Sequence, residues 1–282
     1  MSLKKALLVG INHYSMPDSD LRGCLNDVET YFNILTSKFG FTDITILKDN
    51  QATAQNIKIN LEQIVEDFKD CNSPEDKFVF CFSGHGSSIP DKEGDEIDGL
   101  DEIICNYDLN WSDKIITDDY LYSTFLKLNS NIHSLIISDS CHSGSLLRSL
   151  SLHHVNYYYK NKYIKPPQEI FDKIKSSIYD NDAAVADQMI RIRNKKEDFN
   201  KRNGILISGC QSNQTSADAE INGSPCGAMT YVLSQILNNS NYNIAYADLI
   251  VGMNKLLDDL GYEQNPQLEC PDVWKNKKFL GD

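Results

Sequence analysis

The chain has no C-x-x-C pair among its eight cysteines, no apolar run near the roughly 18 to 20 residues that span a bilayer, and few basic residues. Each shortage excludes something. Without metal-ligand spacing or the cysteine density of a small secreted scaffold, neither zinc nor a disulfide framework is expected, so most of the cysteines read as reduced core thiols. The opening run Lys4–Ile11 imitates a signal peptide, but Asn12 and His13 interrupt it and no cleavage site follows. It reads as a buried first strand, and a cytoplasmic location is expected. The 27 Lys and Arg against 40 Asp and Glu leave a net charge of -13 and a pI near 4.9. That field repels phosphate backbones and anionic lipid, so neither nucleic acid nor a membrane is an expected partner. A basic peptide suits it better.

What is present is an ordinary globular composition, 41% hydrophobic and 24% charged over 282 residues, which reads as one domain spanning residues 1–282. Short apolar runs at Ala6–Ile11, Ile44–Leu47, Phe78–Phe82, Leu135–Ile137 and Ile205–Ile207 alternate with segments of helical period such as Leu25–Phe39 and Asn56–Phe68. The alternation predicts an α/β fold, a mostly parallel sheet with helices on both faces. Chemistry in such sheets collects after the carboxyl ends of the strands, here Ser83–Gly86, Ser138–Gly144 and Ser208–Cys210. Two segments stand apart in charge. Residues 91–119 carry a local charge of -9, and an insert at about 145–203 carries +5 and separates two core strands. The insert is expected to be partly helical and partly mobile.

Cysteine-based acyl transfer needs a nucleophilic thiolate, a histidine to move the proton, and backbone donors for an oxyanion. His85 and Cys141 sit at adjacent predicted strand ends with glycines beside them. Around these residues the chain resembles the metacaspases, caspase-fold cysteine peptidases. The resemblance rests on Leu21-Arg22-Gly23-Cys24-Leu25-Asn26-Asp27, Phe82-Ser83-Gly84-His85-Gly86, Gly94–Glu102, Asp139-Ser140-Cys141-His142-Ser143-Gly144 and Gln214-Thr215-Ser216-Ala217-Asp218, in that order. It covers Lys4–Leu146 and Gly204 onward. It implies a three-layer α/β/α caspase-like sandwich, His85 as general acid/base, Cys141 as nucleophile, and the amides of Gly86 and Cys141 as oxyanion donors. Their separation of 56 residues suits a caspase-type enzyme. Cell-death, stress and defence cascades are all open as its setting.

A buried Arg or Lys beside the scissile bond needs opposing carboxylates, whereas an Asp needs a basic pocket. Asp27 and Asp139 match the metacaspase positions that hold a basic P1 side chain, with Ser83 a lesser member. Protein or peptide substrates with Arg or Lys at P1 are therefore expected, and an upstream activating protease is a further candidate partner. The acidic stretch invites Ca2+, yet an EF-hand fails: Gly94 or Gly99 at the sixth loop position would put Ile89 or Gly94 at the first. By resemblance Asp101, Asp118 and Asp119 match a calcium site whose fourth aspartate is here Arg148. Either Ca2+ binds weakly or the guanidinium closes the site. Two other classes compete with the peptidase. The stretch Cys141–Arg148 is one residue too long for a C-x5-R phosphatase loop, and the surroundings are acidic. A caspase fold that has become an interaction module would have lost His85, Cys141 or the pocket aspartates, and all remain.

Overall fold

Every residue of Lys77–Ser83 and of His133–Asp139 is buried, as strands covered on both faces require. The computed structural model describes residues 2–90, 100–141, 159–170, 172, 204–211 and 214–281. Its strands are β1 (Lys4–Gly10), β2 (Asp43–Lys48), β3 (Lys77–Ser83), β4 (Gly86–Pro90), β5 (Leu100–Ile104), β6 (Ile116–Thr117), β7 (His133–Asp139), β8 (Tyr159–Asn161), β9 (Gly204–Ser208), β10 (Ala217–Ile221), β11 (Ser224–Gly227) and β12 (Gln267–Glu269). The longer helices are α1 (Cys24–Phe39), α2 (Ala54–Asp67), α3 (Asp118–Phe125), α4 (Ala228–Asn239) and α5 (Tyr246–Asp259).

Six strands form the central sheet in the order β12-β9-β7-β3-β1-β2, all parallel except β12. The two-residue period of a strand divides each core strand between two layers. Phe78, Phe80 and Phe82 of β3 face a cluster with Ile57, Leu61 and Phe125 from α2 and α3. Val79 and Cys81 face the opposite cluster with Val28, Leu35, Val232, Leu233 and Leu249 from α1, α4 and α5. The result is the expected α/β/α sandwich. Burying each of those phenylalanines contributes about 2–3 kcal/mol.

Two three-stranded sheets, β4-β5-β6 and β11-β10-β8, flank the carboxyl edge. Residues 100–117 of the acidic stretch thus include two strands, and residues 91–99 lie outside the described residues. Most of the insert does too. Its described part begins with β8, which pairs antiparallel with β10 through Asn161↔Ala217, Lys160↔Asp218 and Tyr159↔Ala219. Among the described residues no helix is long and apolar enough to cross a membrane. All eight cysteines are free thiols, six of them buried.

Candidate active site

Parallel register brings the two chemistry-bearing loops together, because Ser83 at the end of β3 is the partner of Asp139 at the end of β7. The chain leaves β3 through Gly84, His85 and Gly86, and leaves β7 through Ser140 and Cys141. At Gly86 a side chain has no room, since its Cβ would collide with the Cys141 carbonyl. His85 is 2% exposed. Its Nε2 lies 2.8 Å from the Ser19 carbonyl, which accepts only, so Nε2 carries the proton and Nδ1 the lone pair. Among the described residues Nδ1 has no hydrogen-bond partner. The Tyr14 hydroxyl accepts the His85 amide at 2.7 Å and its ring lies 5.0 Å from the imidazole. Burial pushes the His85 pKa down to about 4, against the pull of the Ser19 carbonyl. At neutral pH the imidazole is uncharged and basic at Nδ1.

Cys141 is fully buried. Its Sγ accepts the Ser216 amide at 2.7 Å and lies 3.6 Å from the Ser216 carbonyl. Burial pushes the thiol well above its ordinary range, the neighbouring Cys210 thiol adds to this, and the Ser216 amide works against it. Thiol and imidazole are both neutral in this arrangement.

Beneath the loops lies an acidic pocket. Asp27 arrives on the first turn of α1, whose start is held from outside: the Asp218 carboxylate accepts the amides of Arg22 and Gly23 at 2.8 Å each, and the Asn12 side chain accepts that of Cys24 at 2.9 Å. Asp27 accepts the Ser83 hydroxyl at 2.6 Å and the Gly227 amide at 2.9 Å. Asp139 accepts the Thr230 hydroxyl at 2.7 Å and its amide at 3.1 Å. The floor is Gly227, where a Cβ would strike both carboxylates.

The pocket is filled by Lys162 of the insert, 0% exposed. Its Nζ is 3.2 Å from Asp27 Oδ2, 3.1 Å from Asp139 Oδ1 and donates to Ser83 Oγ at 2.9 Å. Burial disfavours the ammonium, but Asp139 and Asp27 together hold its pKa well above the usual lysine range. Burial pushes Asp27 up to about 6, Lys162 pulling it down and Asp139 pushing it up. The Lys162 backbone is held as firmly. Its carbonyl accepts the amides of Gly86 at 3.0 Å and Cys141 at 3.2 Å, its amide donates to the Ser216 carbonyl at 2.9 Å, and Ile164 donates to the Gly86 carbonyl at 3.1 Å. The chain therefore runs from β8 through Lys162 past Gly86 and Cys141, with Tyr163 bridged to Gly86.

Of the residues singled out from sequence, His85, Gly86, Cys141, Asp27, Ser83 and Asp139 come together here. Lys162 is one of several basic residues of the insert, and no local sequence signal separates it from Lys160 or Lys165. Nor does the sequence single out the Ser19 carbonyl, Thr230 or Gly227, whose roles are set by backbone placement. Asp101 lies on β5, and Asp118 and Asp119 open α3. Among the described residues no three His, Cys, Asp or Glu side chains are grouped so as to hold a metal ion; the acidic residues at 91–99 lie outside the described residues. Residues 142–148 of the suspected phosphate loop, Arg148 among them, lie outside the described residues.

A neutral imidazole with a lone pair, a thiol and two amides converging on one carbonyl oxygen are groups that cysteine-based acyl transfer uses, and a cation between two carboxylates lies beside them. Comparison with known proteins agrees with this class. Residues 4–150 match the metacaspase, peptidase C14 domain. Metacaspase-1 of Scheffersomyces stipitis is 32% identical over 296 residues, covering 95% of this chain and 70% of that protein. Metacaspase-1 of Schizosaccharomyces pombe is 31% identical over 298 residues, covering 95% and 67%. A crystal structure of a protein from Geobacter sulfurreducens superposes with a TM-score of 0.68 at 26% identity, over 99% of this chain and 98% of its own. Caspase-1 from Spodoptera frugiperda shares the fold, with a TM-score of 0.55 at 12% identity over 95% and 87%. The chain belongs to the metacaspases, and is a cysteine peptidase of caspase-like α/β fold.

Proposed function

We propose that this peptidase cleaves polypeptides after Lys or Arg, with Cys141 as nucleophile and His85 as general acid/base, and that its own insert fills the cleft until it is cut. The seating of Lys162 carries the reading: one residue has its ammonium between Asp27 and Asp139 and its carbonyl on two amides at the nucleophile. An Asp side chain in the same pocket would meet two carboxylates and no cation.

In the proposed reaction His85 Nδ1 takes the Cys141 thiol proton and the thiolate attacks the carbonyl carbon of the P1 residue. The amides of Gly86 and Cys141 hold the oxyanion, each donor of this kind being worth about 10²–10³ in rate. His85 then gives the proton to the departing amine, and water, deprotonated at the same nitrogen, releases the acyl group. For the insert, the bond that breaks is Lys162–Tyr163. Two features favour a slow cut. Thiol and imidazole are neutral while the insert is seated, and Ile164 stays hydrogen-bonded to Gly86 and Ser87, which holds the new amine near the acyl-enzyme and promotes resealing.

The cut is made by the chain itself or by an upstream protease, and the fragments stay joined through the shared core. Calcium is given no step; by resemblance Asp101, Asp118 and Asp119 are the residues that would hold it. The unpaired thiols favour a cytoplasmic setting. The test compares matched peptides with Arg, Lys or Asp at P1. Turnover after Arg and Lys, with at least a hundredfold less after Asp, is expected; robust turnover after Asp would overturn the pocket assignment.

A further inference from the structure

We infer that the cleft also selects the three residues before the scissile bond, preferring an aromatic ring at P4, a long cation at P3 and a side-chain amide at P2. This deepens the proposed function and rests on it, because the subsites are counted from Lys162 at P1. β8 lies on β10 as an added antiparallel strand. Main-chain pairing of that kind accepts any sequence, so discrimination has to come from what each side chain touches.

At P4, Tyr159 is half-buried against the core and its ring lies 5.6 Å from that of Tyr262 at 52°. Such tilted pairs are favourable beyond the area they bury. At P3, the Lys160 ammonium donates to two backbone carbonyls, Asp18 at 2.8 Å and Asp20 at 2.7 Å. The carbonyl between them, that of Ser19, holds the His85 tautomer. Three consecutive carbonyls therefore face the cleft, from a loop in which Asp18 has φ of 60°, a left-handed conformation that few residues adopt. A P3 cation thus bears on the loop that orients the base, and is expected to change kcat as well as KM. At P2, the Asn161 side-chain oxygen accepts the Thr215 hydroxyl at 3.1 Å.

The P4 preference should be the strongest. Replacing Tyr by Ala there is expected to lower kcat/KM about tenfold. Ala at P2 should cost about three- to fivefold, for one neutral hydrogen bond. Lys160 is exposed, so Ala at P3 should cost about two- to fivefold at low salt, shrinking as salt is raised.

The experiment uses the full-length Lys162→Ala chain, whose pocket anchor is gone, with fluorogenic peptides acetyl-Tyr-Lys-Asn-Lys and single replacements at each position. Ratios of kcat/KM within one preparation cancel the fraction of enzyme that is open. Tyr262→Ala should abolish the P4 preference and leave the Lys-to-Asp ratio at P1 unchanged. Tyr262→Phe should keep the preference, and Tyr262→Leu stands in if the alanine variant does not fold. A flat profile at P2 to P4 with Lys still required at P1 would overturn this inference alone and make β8 mere internal packing. Loss of the P1 requirement would overturn the S1 reading, and the subsites with it.

Discussion

Removing the Cys141 sulfur or the His85 ring, as Cys141→Ala or His85→Ala, is expected to abolish turnover of basic peptides while circular dichroism shows the fold intact. Asp27→Asn keeps the Ser83 contact but halves the pocket charge, and should lower kcat/KM for Lys peptides by about two orders of magnitude, the scale for losing a desolvated charge partner. The buried histidines set the acid limb of stability. His85 is held at about 4 and His133 at about 3, both by burial, against 6.5 in the unfolded chain. Below about pH 6.5 the unfolded chain takes up these protons first. Each histidine therefore contributes a loss of stability as pH falls, on the order of 3 kcal/mol by pH 4. Asp27, held at about 6, acts in the opposite sense, since the folded chain protonates it first between about 6 and 3.8. Urea midpoints at pH 7, 6 and 5 test this: His133→Gln should flatten the slope by about one proton, and an unchanged slope would contradict a neutral buried His133.

At the scale of elements, β8 and the Lys162 that follows it carry the proposed control of the chain. Tyr163→Pro makes the bond after Lys162 uncuttable while leaving the ammonium in its pocket, so this variant should stay nearly inactive toward added peptides. Full activity from it would leave the insert without a regulatory role. Lys162→Ala should open the pocket but strand two buried carboxylates, lowering stability by roughly 3–5 kcal/mol. What could be read from sequence divides along physical lines. β1, β3 and β7 were legible because strands buried on both faces are continuous apolar runs. β4, with Gly86, Ser87, Ser88 and Pro90, and β8, with Tyr159, Lys160 and Asn161, were not, because their polar side chains become strand only where a neighbouring edge receives them. The β10–β11 hairpin left a signal that went unused, Asn222-Gly223 with φ of 53° and 78°. His85, Cys141 and the acidic residues were legible from residue type and motif. The Ser19 carbonyl, the Gly227 floor and the choice of Lys162 depend on backbone that only the fold assembles.

For the whole molecule, the net charge of -13 and the acidic pocket both favour cationic substrates, so kcat/KM should fall with rising salt more than kcat does. Calcium is open at Asp101, Asp118 and Asp119: turnover unchanged by saturating EDTA would favour the Arg148 alternative, and turnover that requires added Ca2+ would favour the metal. The insert joins these scales, because a single segment supplies the cation, the carbonyl and the added strand that fill the cleft. The central claim is that this segment sits as a substrate, with Lys162 at P1. Its most direct test is the mass of the fragments formed by the purified full-length chain, with Cys141→Ala alongside. The account predicts fragments 1–162 and 163–282 from the wild type and an intact Cys141→Ala chain; a cut after any residue other than Lys162, or one that persists without the Cys141 sulfur, would contradict it.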